Sequence, residues 1–154
     1  MEMEGEERIA APRDAVWQAL NDADILRQCI PGCQSLEWTS PSELAAVVKL
    51  KIGPVSASFS GAVTLSEVEA PQSYTITGEG KGGIAGFAKG GAHVTLLDKG
   101  PETLLRYTAQ AQVGGKLAQL GSRLIGSSSQ KLAAQFFADF NKAVMARTEQ
   151  PVQP

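Results

Sequence analysis

The first ten residues alternate. Glu2, Glu4, Glu6 and Arg8 share one parity, and Met1, Met3 and Ile9 share the other. That is the period of a half-exposed strand. Pro12 fits the first turn of a helix, where a missing N–H costs nothing. Val16, Trp17 and Leu20 then make a short apolar face, and Asn21 or Asp22 can cap a second short helix through Arg27. Pro31-Gly32 signals a turn.

From Gln34 to Val113 the period is two. Leu44, Ala46, Val48, Leu50 and Ile52 lie on one face, with Lys49 and Lys51 on the other. Val55, Ala57, Phe59, Gly61, Val63 and Leu65 alternate with small polar residues. Tyr74, Ile76 and Gly78 share a parity, as do Ala92, Val94 and Leu96, and then Leu105, Tyr107, Ala109, Ala111 and Val113. Gly53-Pro54, Pro71 and the segment 98–103 break the runs. Six or seven strands with tight connections predict an antiparallel meander with one wet face.

From Lys116 to Arg147 the apolar positions recur at three and four: Leu117, Leu120, Leu124, Leu132, Phe136, Phe140 and Val144. This predicts one helix of about 30 residues, about 45 Å long. The expected fold class is α+β, a curved antiparallel sheet around a long C-terminal helix, with two short helices after the first strand. One domain over 1–147 is expected, with 148–154 a flexible polar tail. In the first half of the long helix, Gly121, Gly126, Ser127, Ser128 and Ser129 replace bulky residues. Small residues facing a concave sheet leave room, which close packing normally removes. A cavity is expected there; the alternative is that they let the helix approach the sheet closely.

Composition narrows the classes. The chain has 154 residues, 43% hydrophobic and 19% charged, with a net charge of −2. Folding a chain of this length buries roughly 70% of its unfolded surface, enough for a core without metal or disulfide. The charge balance gives no footprint for nucleic acid. The acidic N-terminus lacks the apolar core of a signal peptide. No run reaches the about 18 apolar residues of a membrane span. A soluble cytoplasmic protein is expected.

Three features need weighing as chemistry. The stretch "GEGKGGIAGFAKGG", 78–91, is half glycine and begins with a formal G-x-G-x-x-G. A phosphate loop must open a helix, but "AHVTLL" follows and reads as a strand. A flexible hairpin connection carrying Ile84, Ala85 and Phe87 is expected instead, as a lid, a partner contact or a local plug. Cys29 and Cys33 in "CIPGC" are too few for structural zinc and wrongly spaced for a C-x-x-C redox pair; buried or half-buried structural thiols are expected. His93, the sole histidine, has parity opposite to Ala92, Val94 and Leu96, so it faces away from the apolar layer. No catalytic residues, metal or cofactor are assigned.

"CIPGC" (29–33), "GEGKGG" with "GFAKG" (78–90) and "QVGGKLAQLGSRLI" (112–125) together resemble the carbon monoxide dehydrogenase CoxG family. The similarity covers roughly residues 1–146. It implies a START-like helix-grip fold of the polyketide-cyclase superfamily. It also implies an accessory role beside molybdenum hydroxylase subunits, in recruiting the enzyme to the membrane or handing it a lipophilic acceptor such as a quinone. Some relatives carry a C-terminal membrane-anchoring extension; residues up to Pro154 include no apolar tail.

Three functions are then in competition. In the first, a non-enzymatic module holds a quinone or lipid between the sheet and the first half of the long helix. Its expected lining is Trp17, Phe59, Val63, Ile76, Tyr107, Leu117, Leu120, Gly121, Leu124 and Ile125, with Phe87 as lid. In the second, the glycine-rich stretch and "CIPGC" dock a molybdenum enzyme or membrane partner without a ligand. In the third, the chain is a small cyclase-like enzyme.

Overall fold

The computed structural model describes residues 1–149. The chain runs β1 (Glu2–Ile9), α1 (Arg13–Leu20), α2 (Ala23–Cys29), β2 (Cys33–Ser40), β3 (Glu43–Ile52), β4 (Val55–Glu69), β5 (Ser73–Lys81), β6 (Phe87–Lys99), β7 (Glu102–Gly114) and α3 (Ser122–Glu149). The strands form one antiparallel sheet in the order β1-β7-β6-β5-β4-β3-β2. Six of the seven strands follow one another as hairpins. Only β1 leaves the meander: α1 and α2 carry the chain from its edge to the opposite edge. The tail expected from 148 is still helical at Glu149; 150–154 lie outside the described residues.

The alternation seen in the sequence becomes the two faces of the sheet. Register pairs Leu44 with Val63, Ile76 with Ala92, and Val94 with Tyr107, so these side chains share the inner face. The outer face carries Thr, Ser, Gln, Glu and Lys. Asp22 caps α2 by accepting from the backbone N–H groups of Asp24 and Ile25. Its other carboxylate oxygen pairs with Arg147 at 3.2 Å and ties α3 to the start of α2. Pro12 stands at the cap of α1, one position before the turn expected for it.

Two apolar clusters occupy the inner face. The larger joins Ile9, Val16, Ala19, Leu20, Cys29, Tyr74, Val94, Leu96 and Leu105 to Phe140 and Val144 of α3. Stacked and edge-on rings link Phe136, Phe137 and Phe140, and Phe137 stacks on Tyr107 at 5.4 Å. The smaller cluster joins Phe59, Ala85 and Leu117. Buried Thr103 donates to the Ala11 carbonyl at 2.8 Å and fixes the turn into α1.

The structure corrects two expectations. The long helix begins at Ser122, not near Lys116. Residues 118–120 form a 3₁₀ turn, and Gly121 follows with φ +88°, a conformation that favours glycine. A 3₁₀ turn also places every third side chain on one side, so Leu117 and Leu120 keep helical spacing outside the helix. The glycine-rich stretch is mostly strand: Gly78–Lys81 ends β5 and Phe87–Gly91 begins β6. Only residues 82–86 make the turn. There Gly86 (φ +106°) and Gly115 (φ +70°) lie back to back, and a Cβ on Gly115 would stand 2.6 Å from the Gly86 Cα.

Phe140 is fully buried where α3 meets the sheet and α1. Phe140→Ala should cost about 3–5 kcal/mol, measured by urea unfolding. A loss below about 1 kcal/mol would mean that α3 is held elsewhere.

Candidate functional site

An apolar chamber of about 360 Å³ lies inside the larger cluster. Its floor is Val63, Leu65, Ile76, Ala92, Val94, Leu105 and Ala109. Leu20, Leu26 and Ile30 come from the α1–α2 segment, Leu36 and Leu44 from the β2–β3 edge, Met3 from β1, and Phe136 and Phe137 from α3. Among the described residues, Tyr74 and Tyr107 are its only hydroxyl-bearing lining residues, and none that lines it is charged.

The chamber opens onto a groove of about 460 Å³, with which it shares Val63, Ile76 and Ala92. Much of the groove floor is small, at Ala46, Gly61, Gly78, Gly80, Ala88, Gly90 and Ala111; Val48, Leu50 and Phe59 border it, and Glu79 and Lys89 also contribute to its lining. Register places them side by side, Ala46 by Gly61, Gly61 by Gly80, Gly78 by Gly90, and Gly90 by Ala111. These glycines differ in kind. A Cβ on Gly61 would collide with the Glu79 carbonyl, and one on Gly90 with the Gln110 carbonyl, so both permit close strand approach. A Cβ on Gly78 or Gly80 would meet only ordinary contacts at 3.5 Å. Nothing in the packing demands glycine there; its effect is room.

The helix adds little polarity. The Ser127 hydroxyl donates to the Leu124 carbonyl at 3.2 Å and that of Ser129 to the Ile125 carbonyl at 2.8 Å. Such bonds return serine hydroxyls to their own helix.

The structure brings only some of the expected lining residues together. Val63, Ile76 and Tyr107 line the chamber. Trp17 packs behind it, edge-on to Tyr74 at 5.3 Å. Phe59 reaches the groove but belongs to the smaller cluster with Leu117 and Leu120. Leu124 faces the β3–β4 turn, where a Cβ on Gly53 would lie 2.9 Å from it; Ile125 is buried outside the chamber lining. Gly121 is exposed with no atom within 4 Å of a Cβ built on it, so a large residue there would strain the backbone rather than fill a cavity. Phe87 is no lid. It pairs with Lys81 and Gly114, and its ring covers Gly114 on the outer face. The room therefore lies beside the second half of α3, not the first.

The sequence reading missed Leu20, Leu26, Ile30, Leu36, Leu44, Tyr74, Phe136 and Phe137 as lining. Tyr74 could have been found, because it shares its parity with Ile76. The two phenylalanines signal core and lining equally.

Other chemistry lies away from the chamber. His93 is exposed on the outer face, where its Nδ1 stands 3.0 Å from the Thr75 hydroxyl, which donates to Glu67. Two outer depressions, of about 670 and 700 Å³, are lined by Glu, Thr and Gln and stand open to solvent. Cys29 is buried and Cys33 half-buried, both as free thiols. Burial, with Asp139 adding to it, raises the Cys29 pKa; burial also raises that of Cys33, against the Ser35 hydrogen bond and Arg27. Both thiols are thus biased toward the protonated, unreactive form. Among the described residues no group of three or more His, Cys, Asp or Glu side chains is placed to hold a metal ion. No helix among them is long and apolar enough to cross a membrane.

A curved antiparallel sheet gripping a long C-terminal helix over an apolar chamber defines a START-like, helix-grip protein. Solved structures agree. A conserved protein from Geobacillus kaustophilus is 28% identical, with a TM-score of 0.89 over 95% of this chain and 96% of that one. The Zhui aromatase/cyclase of a Streptomyces species is 12% identical, with a TM-score of 0.72 over 97% and 96%. A START superfamily protein from Mycobacterium smegmatis is 17% identical, with a TM-score of 0.62 over 92% and 98%. Residues 5–145 match the family model of the carbon monoxide dehydrogenase CoxG subunit, and the chain belongs to that family. No curated protein matches it.

The two kinds of glycine predict opposite outcomes. Gly61→Ala should lose about 1–3 kcal/mol through forced strand separation. Gly78→Ala should stay within about 0.5 kcal/mol of the parent. Thermal unfolding of both variants checks this; equal losses would contradict the assignment of Gly78 to open room.

Proposed function

We propose that the protein is a non-enzymatic accessory of a carbon monoxide dehydrogenase-type molybdenum hydroxylase. It binds a neutral apolar ligand, of the quinone or lipid class, in the chamber and groove. In this way it couples the enzyme to an electron acceptor at the inner face of the cell membrane. The observation that carries this reading is the chamber lining, which is hydrocarbon apart from two tyrosine hydroxyls and the Met3 thioether. Such a site gains affinity by burial, about 0.8 kcal/mol per CH₂, and needs few polar contacts. Family membership supplies the partner class. Against an enzymatic role, the one histidine and its Thr75–Glu67 relay lie on the opposite face of the sheet from the chamber.

Filling the chamber tests this reading. Ala92 borders both chamber and groove, so Ala92→Phe should weaken binding of a short-chain quinone at least tenfold in a fluorescence titration, with circular dichroism unchanged. Native mass spectrometry of the parent should show one bound quinone. No uptake of any quinone or neutral lipid would refute the proposal.

A second reading has its own observation. Ile84 is 84% exposed in the β5–β6 turn and Phe87 is 37% exposed just after it. In this reading the tip docks the hydroxylase, and ligand binding is incidental. Ile84→Ser with Phe87→Ser should then abolish capture of the hydroxylase in a pull-down while leaving quinone binding intact. Unchanged capture would discard the docking role of this tip.

A further inference from the structure

Tyr74 is only 3% exposed and lines the chamber from β5. Trp17 meets its ring edge-on at 5.3 Å and fixes it in place. Among the described residues no hydrogen bond is made by its hydroxyl. The hydroxyl is not sealed in the core, since among the described residues the fully buried side-chain polar atom without a partner is Arg13 Nε; the Tyr74 O–H keeps access to the chamber that the residue lines, where a ligand acceptor can reach it. Water would be a weakly held partner there, because a well-held water needs two to four polar partners and the surrounding chamber wall is hydrocarbon. Tyr107, the other chamber tyrosine, differs. It is half-buried, and its hydroxyl lies against β1, where a Cβ on Gly5 would stand 2.7 Å from it.

Burial also pushes the Tyr74 pKa well above its ordinary value, so the group stays a neutral donor at physiological pH. Among the described residues no cationic side chain lines the chamber. A carboxylate or phosphate brought there would be buried without a counter-charge, which disfavours its entry.

We propose that the Tyr74 hydroxyl is the hydrogen-bond donor that selects the ligand: the chamber takes a neutral apolar ring bearing a carbonyl oxygen, and the ligand's hydrocarbon chain leaves along the glycine-alanine groove. Trp17 acts as the positioning residue behind it. This rests on the ligand-binding reading above and sharpens it, because it states which end of an amphiphilic molecule enters the chamber. A free acid or phosphate head is rejected; a carbonyl-bearing ring is retained.

The test compares two probes, menadione and methylnaphthalene, which share fused rings and differ in the two carbonyl groups. The parent protein should bind menadione more tightly by roughly tenfold, the worth of one hydrogen bond made to an otherwise unpaired donor. Tyr74→Phe should abolish that preference and leave the affinity for methylnaphthalene unchanged. Its Tm should hold or rise, since the hydroxyl has no hydrogen-bond partner among the described residues to lose. A preference that survives Tyr74→Phe overturns the assignment while the ligand-binding reading stands. A Tm lowered by several degrees also overturns it, by showing that the hydroxyl serves the fold. Failure of both probes to bind the parent protein overturns this inference together with the reading beneath it.

Discussion

Seven strands spaced by about 4.8 Å make a sheet about 30 Å across, while one α-helix is about 10 Å wide. A single long helix cannot cover the apolar face of such a sheet. The rest of this structure follows from how the uncovered part is handled. At one end α1 and α2 close over the sheet beside α3, and Phe136, Phe137, Phe140 and Val144 anchor the helix there. At the other end Phe59, Ala85 and Leu117 fill the space locally. Between them neither solution operates, and much of the floor is reduced to glycine and alanine.

That reduction has a cost which must be offset elsewhere. Glycine weakens a strand interior, and small side chains bury little area. The larger cluster compensates with aromatic contacts, the Trp17–Tyr74 edge and the Tyr107–Phe137 stack among them. The same rings form the chamber walls. The parts that hold α3 on the sheet and the parts that shape the chamber are therefore one set of residues. Occupancy of the chamber is expected to stabilise the attachment of α3, because a ligand bound only to the folded state adds to its stability.

Much of the fold was legible in the sequence because strand alternation is a strong local signal. The parity of Leu44 through Ile52, and of Leu105 through Val113, identified the inner face correctly. The start of α3 was not legible, since Leu117, Leu120 and Leu124 carry the same spacing through a 3₁₀ turn as through an α-helix. Nor was the place of the room. Small residues on the helix, Gly126 to Ser129, drew attention to its first half. The decisive small residues are instead on different strands and become neighbours only through register, as Gly78 and Gly90 do. Long-range pairing of this kind leaves no local mark. Phe87 shows the same limit: its parity within β6 puts it on the outer face, but a glycine-rich surrounding reads as loop until the pairing is known.

The central claim is that the space beside Tyr74, Ile76 and Phe137 is a ligand chamber. It is tested most directly by intermolecular nuclear Overhauser effects between a bound quinone and methyl-labelled protein. The account predicts contacts from the quinone ring to the methyl groups of Val63, Ile76, Val94 and Leu105. Contacts confined to Leu117, Leu120 and Leu124, or to Ile84 at the hairpin tip, would contradict it.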